Sequence, residues 1–154
     1  MQVRVLSRRP FKHERLTMEL GFSGSRDGMT YAQVITVFRL LGELKPEKVH
    51  HGDCVGADHD FHAIATYLDI PIKGHPPTDS KLRAFCSFKE AAEEKGYLDR
   101  NKDIVNESDP LLATPKEASE QWRGGTWSTI RYAKKNKKSV IIVWPNGLTE
   151  TIAP

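Results

Sequence analysis

A chain of 154 residues, 38% hydrophobic and 28% charged, has the length of one domain and enough apolar side chains to bury a core. Its formal charge of +3 is too small to mark a nucleic-acid surface, and its two cysteines, Cys54 and Cys86, form neither a CxxC pair nor a disulfide framework. The absence of an eighteen-residue apolar run argues against a membrane span, and the leader MQVRVLSRRPFKHERLTM lacks the apolar segment of a secretory signal, so a cytoplasmic protein is expected.

In chain order, residues 1–16 form an extension in which VRVLS reads as an added edge strand. MELGFSG (18–24) reads as a strand that breaks at Gly-Ser. In residues 30–44, apolar residues at 31, 34, 35, 38 and 41 make a helical stripe, with Thr30 as its N-cap. EKVHH is a short second strand, 57–69 a second helix, and IPIKGHP a third strand whose Pro71 suggests a sheet edge. Residues 87–95 and 98–107 are expected to be two helices separated at Gly96. DPLLATP (109–115) is a fourth strand, the stretch after Gly124-Gly125 a helix capped by Thr126, and SVIIVWP a continuously apolar fifth strand. The basic run RYAKKNKK (131–138) suits the solvated end of that helix. This alternation describes an α/β domain with a mostly parallel sheet and contains no internal repeat or linker.

Polar, glycine-bearing loops follow the strands, at the edge where open α/β sheets bind ligands. SGSRDG (23–28) offers backbone N–H groups and Arg26 to a phosphate or carboxylate; its alternative is an ordinary tight turn. GDCVGAD (52–58) runs into a helix N-terminus, with Asp58 placed to cap the helix or accept a ribose hydroxyl. RGGTWST (123–129) repeats that design, with Trp122 and Trp127 as candidate base-stacking rings or core lids. Neither a Walker A loop nor a strict GxGxxG is present.

HHGDCVGADHDFH (50–62) also suggests a metal cage, because His59 and His62 are three apart on a helix. His50 and His51 point to opposite faces of a strand, and no second cysteine or distant HxH completes a ligand set. The stretch therefore reads as a phosphate-and-sugar loop with incidental histidines, and no metal or resident cofactor is expected.

GFSGSRD, HHGDCVGAD, DRNKDIV, ESDPLLATP and GGTWSTIRYAKKNKKSVIIV, taken in this order from Gly21 to Val143, resemble the motifs of the SLOG superfamily. This Rossmann-like group includes the LOG phosphoribohydrolases, and the chain is most similar to its YspA-like branch. The resemblance implies a single domain over 1–154, a doubly wound five-stranded sheet with helices on both faces, and a nucleotide-derived ligand. Carried over residue by residue, the ligand shell is Gly24, Ser25, Arg26, Gly52, Gly56, Ala57, Asp58, Arg100, Asn101, Gly125, Thr126 and Thr129. Asp53, Lys116, Gly124 and Trp127 join it from the same loops.

The catalytic LOG pattern GGxGTxxE places a glutamate where this chain has Thr129 or Arg131, according to alignment, so no catalytic residue is assigned. The resemblance thus implies a binder of an ADP-ribose-like, cyclic-nucleotide or NAD-related signal. Such a protein would be homo-oligomeric, acting as a sensor or sponge in defence or counter-defence. An alternative is a nucleotide N-glycosidase using Asp53, Asp58 or Glu117. Binding of single-stranded nucleic acid through Trp122, Trp127 and the lysines ranks last, given the small net charge.

Overall fold

The computed structural model describes residues 17–154, so the VRVLS stretch lies outside the described residues. The strands are β1 (Glu19–Gly24), β2 (Lys48–His51), β3 (Ile72–Gly74), β4 (Glu90–Ala91), β5 (Leu111–Thr114), β6 (Val140–Val143) and β7 (Thr149–Ile152). The helices are α1 (Tyr31–Leu44), α2 (Ala57–Tyr67), α3 (Tyr97–Asn106) and α4 (Gly125–Lys135). They build a Rossmann-like α/β fold around one seven-stranded sheet of order β4-β3-β2-β1-β5-β6-β7. Neighbouring strands pair in parallel except β6 with β7.

Alternation along the strands supplies both faces of the core. Leu20, Phe22, Val49 and Leu112 point to one side and pack with Val37 and Leu41 of α1 and Phe61, Ile64 and Ala65 of α2. Leu111, Ala113, Val140 and Ile142 point to the other, against Val105 of α3 and Trp127, Ile130 and Ala133 of α4. Helix α1 starts in a capping box, in which the Thr30 hydroxyl accepts from the Gln33 N–H and the Gln33 side chain accepts from the Thr30 N–H. The Gln33 amide nitrogen also donates to the carbonyls of Pro115 and Val143, tying this helix to the ends of β5 and β6.

The sheet has two more strands than the five expected. β7 is short, polar and largely exposed, with too little apolar alternation to stand out in the sequence. β4 replaces the helix expected over 87–95. That stretch is rich in helix formers, but the Phe88 ring packs against Gly74 and beside His51 and His62, which holds the chain extended alongside β3. Tertiary packing overrides propensity here. β3 is consequently an interior strand, and Pro71 precedes it rather than marking an edge, its carbonyl accepting from the Val49 N–H. Among the described residues no helix is long and apolar enough to cross a membrane.

β1 and α2 approach each other closely at Gly24. A Cβ added there would overlap Thr114 Oγ1 and the Cβ of Ala57. Gly24→Ala is expected to destabilise the fold by about 1–3 kcal/mol, as overpacking does. Thermal unfolding reads this as a lowered Tm, and an unchanged Tm would contradict the close approach.

Candidate functional site

β1 is flanked by β2 on one side and β5 on the other, so the winding direction reverses between β1 and β5. A crevice is expected outside the strand ends at such a point, and a cleft of about 460 Å³ lies there. Its walls come from the loop after β1 (Ser25, Arg26, Asp27), the loop after β2 (Gly52, Cys54), the first turns of α3 (Tyr97, Arg100, Asn101) and the segments before and at the start of α4 (Lys116, Glu117, Gly124–Trp127).

The floor is held by two buried charges on either side of Gly52. Arg100, 4% exposed, donates through Nη1 to the carbonyls of Gly52 and His75. Asp58 Oδ2 accepts from the N–H groups of Gly52 and Cys54, both at 3.1 Å. Gly52 has to be glycine, because a Cβ there would run into the Arg100 guanidinium. Burial pushes the Asp58 carboxyl up to about 6, against the opposing pull of Arg100 and the two N–H groups.

The two helix N-termini at the cleft differ. At α2, Gly56 (φ +93°) packs against the Arg26 backbone and the Ala57 N–H is taken by the Ser25 carbonyl. At α4, Gly124 (φ +112°) turns the chain and no side chain caps the helix. The helix begins at Gly125, so its first N–H groups have no intrahelical partner, and among the described residues a Gly125 Cβ would meet no atom within 4 Å. Thr126 therefore lies inside the helix and is not its cap. Arg26 stacks over Tyr97 at 5.5 Å, and Lys116 pairs with Asp27 at 2.9 Å on the exposed rim.

Gly24, Ser25, Arg26, Gly52, Asp58, Arg100, Asn101, Lys116, Gly124, Gly125, Thr126 and Trp127 all line this cleft. Asp53, Gly56, Ala57 and Thr129 do not. The Asp53 carboxylate binds Arg83 Nε and the Cys86 N–H at 2.9 Å each, so it anchors the 83–86 loop. Gly56 and Ala57 serve the β1–α2 approach, and the Thr129 hydroxyl returns to the Gly125 carbonyl. Trp127 is 2% exposed and donates to Glu117 Oε1, so its ring belongs to the core side of the cleft. Trp122, 86% exposed, is absent from the lining. Tyr97 lines the cleft without having been expected there, since it stands just before the DRNKDIV motif; Cys54, within GDCVGAD, and Glu117, named only for the alternative chemistry, line it as well.

Of the histidines in 50–62, His50, His51 and His62 are tied into side-chain hydrogen bonds, whereas His59 is exposed. His51 is fully buried: Nδ1 accepts from the Asp53 N–H and Nε2 pairs with His62 Nδ1 at 2.9 Å. Burial lowers the basicity of His51 strongly and that of His62 as well. On the opposite face His50 contacts His75, which lies 25 positions further on and outside the histidine-rich stretch.

No family model matches the sequence, and no curated protein matches it. Solved structures do. The molybdenum cofactor binding protein of the phototrophic bacterium Rippkaea orientalis matches with a TM-score of 0.66 at 20% identity, over 83% of this chain and 77% of that one. The structural-genomics target TM1055 matches with a TM-score of 0.60 at 13% identity, over 80% and 72%. At these identities the likeness establishes the Rossmann-like fold.

The raised Asp58 carboxyl has a measurable consequence. Its folded value of about 6 exceeds the reference value of 3.8, so the folded state holds a proton that the unfolded state has released between these limits. This stabilising contribution is complete below pH 4 and is lost as pH rises through 6. Asp58→Asn keeps a carbonyl oxygen for both N–H groups and removes the titration. The stability of wild type relative to this variant should fall by about 2 kcal/mol between pH 4 and pH 7. Denaturant unfolding across that range reads the difference, and a flat difference curve would place the proton elsewhere.

Proposed function

We propose that the chain is a single SLOG-like domain that binds a nucleotide-derived small molecule in the cleft between β1 and β5. The observation that carries this reading is the uncapped, open N-terminus of α4 at the strand-reversal point, a pre-formed site for a phosphate. Arg26 adds positive charge at the rim, and Gly124 and Gly125 leave the space a phosphate needs. Ser25 and Asn101 supply hydrogen bonds for a sugar. An ADP-ribose-like, cyclic-nucleotide or NAD-related molecule has this combination of groups. A binding role accords with a structural neighbour that is itself named as a cofactor binding protein.

The reading extends to a cytoplasmic, self-associating sensor or sponge for such a signal, in defence or counter-defence. Self-association would use the exposed residues Tyr31, Ile35 and Phe38 of α1 with Tyr67 of α2. Size-exclusion chromatography with light scattering should then report a species larger than 17.4 kDa.

A second reading, nucleotide N-glycosidase chemistry, is favoured by one observation: the Asp58 carboxyl, pushed up to about 6 within the cleft lining, has the protonation behaviour of a general acid or base. Neither position aligned with the LOG glutamate helps. Thr129 is buried and bonded within α4, and Arg131 holds the carbonyls of Gln121 and Trp122. Chromatography of nucleotide incubations separates the readings, because turnover releases a free base and binding does not.

Binding is tested with a panel of ADP-ribose, NAD and cyclic nucleotides, read by thermal shift and calorimetry. Gly125→Glu places a carboxylate in the phosphate space, while an acid in the first helical turn favours the fold. The variant should keep its Tm and lose at least about tenfold in affinity, since a repelled phosphate forfeits more than 1.4 kcal/mol. A wild type that binds none of the panel, or a variant that binds as well as wild type, would overturn the proposal.

A further inference from the structure

Below the cleft floor, on the face of β2 that meets α3, three ligand-type side chains from distant parts of the chain converge. His50 belongs to β2, His75 follows β3, and Glu107 ends α3. His50 Nδ1 lies 2.9 Å from His75 Nε2, and these atoms lie 3.8 and 3.9 Å from Glu107 Oε1. The triangle with sides of 2.9, 3.8 and 3.9 Å has a circumscribed radius of about 2.1 Å, the length of a zinc bond to imidazole or carboxylate. One ion at its centre would thus lie at bonding distance from all three atoms.

The surrounding bonds set the correct tautomer at His50. His50 Nε2 sits 2.7 Å from Glu19 Oε1, so the His50 proton belongs on Nε2 and its Nδ1 lone pair faces the other two ligands. A carboxylate behind a ligating histidine is the usual outer-shell partner of a metal site. His75 Nε2 then carries the proton shared with His50 Nδ1, and among the described residues His75 Nδ1 is buried without a hydrogen-bond partner, so no bond opposes a transfer of that proton to Nδ1. When an ion takes the Nε2 lone pair, that proton moves to Nδ1 and the ring stays neutral. Both rings are 1% exposed while Glu107 and Glu19 are partly open to solvent, so an ion enters past the carboxylates.

A second convergent set, His51, His62 and Cys86, is arranged otherwise. The Asp53 N–H occupies His51 Nδ1, which commits the His51 proton to Nε2, the atom that faces His62. Ligation there would turn two N–H groups against each other. This set is a hydrogen-bonded relay.

We propose that His50, His75 and Glu107 form a site for one divalent transition-metal ion, zinc by its ligand chemistry, with Glu19 orienting His50 from behind. The fourth position faces solvent and takes water. His75 also gives its carbonyl to Arg100, so the ion braces the residue on which the cleft floor rests. Lys73 Nζ, 2.8 Å from Glu107 Oε1, competes with the ion for the same carboxylate and sets a limit on affinity.

The test is titration of the chelator-treated full chain with cobalt(II), read by visible absorption, and with zinc(II), read by calorimetry and Tm. The expected result is one ion per chain, with the visible bands of a low-coordinate nitrogen–oxygen site and no sulfur-to-cobalt charge transfer. Glu19→Gln should weaken binding by about tenfold or more, as loss of an outer-shell partner does. Glu107→Gln, a half-exposed change that spares the core, should abolish the zinc-induced rise in Tm while leaving the metal-free Tm in place. Lys73→Met should tighten binding, and Cys86→Ser should leave it unchanged. Absence of stoichiometric uptake of either ion, or binding that survives Glu107→Gln and disappears in Cys86→Ser, would overturn the assignment.

Discussion

The structure depends on how a single backbone unit, Gly52, is held. A positive guanidinium from α3 grips its carbonyl, and a negative carboxylate from α2 grips its N–H. Arg100 and Asp58 are both almost fully buried, where an isolated charge would be prohibitively unfavourable. Each is made tolerable by backbone hydrogen bonds and by the opposite charge across the glycine. Together they fix the end of β2 relative to two helices on opposite faces of the sheet. The cleft floor is thereby set before any ligand arrives, the preorganisation a small-molecule site requires.

From that constraint follows an unequal division of labour between helix N-termini. α2 uses its first turn for structure, sealing Gly56 and Ala57 against the loop after β1. Among the described residues α4 has no such neighbour, and its first turn stays open to the cleft. Two similar glycine–helix motifs in the sequence thus have different physical outcomes. The same contrast separates the histidines on the two faces of β2: His51 closes a relay with His62 that leaves its tautomer committed, whereas His50 presents a lone pair to two further ligands.

Much of the fold was legible because its signals are local. The stripe from Tyr31 to Leu41, the Thr30 cap and the apolar run from Val140 to Val143 each announce their element within a few residues. The loops lining the cleft were legible too, since glycine and charged residues stand at strand exits. What the sequence concealed depends on contacts between distant segments. The Phe88 ring, wedged beside His51 and against Gly74, turns a helix-prone stretch into an edge strand. The role of Asp53 is visible only once the 83–86 loop folds over it. His75 and Glu107 look unremarkable in their own neighbourhoods and become a pair of ligands only when β3 and α3 flank β2.

The central claim, that the open N-terminus of α4 receives a phosphate-bearing molecule, is tested most directly by amide NMR during titration with ADP-ribose. The backbone amides of Gly125, Thr126 and Trp127 should shift first and furthest, with those of Ser25 and Arg26 following, while Asp53 and Ala57 stay in place. Saturable shifts confined to other surfaces, or no shift at the start of α4 at millimolar ligand, would contradict it.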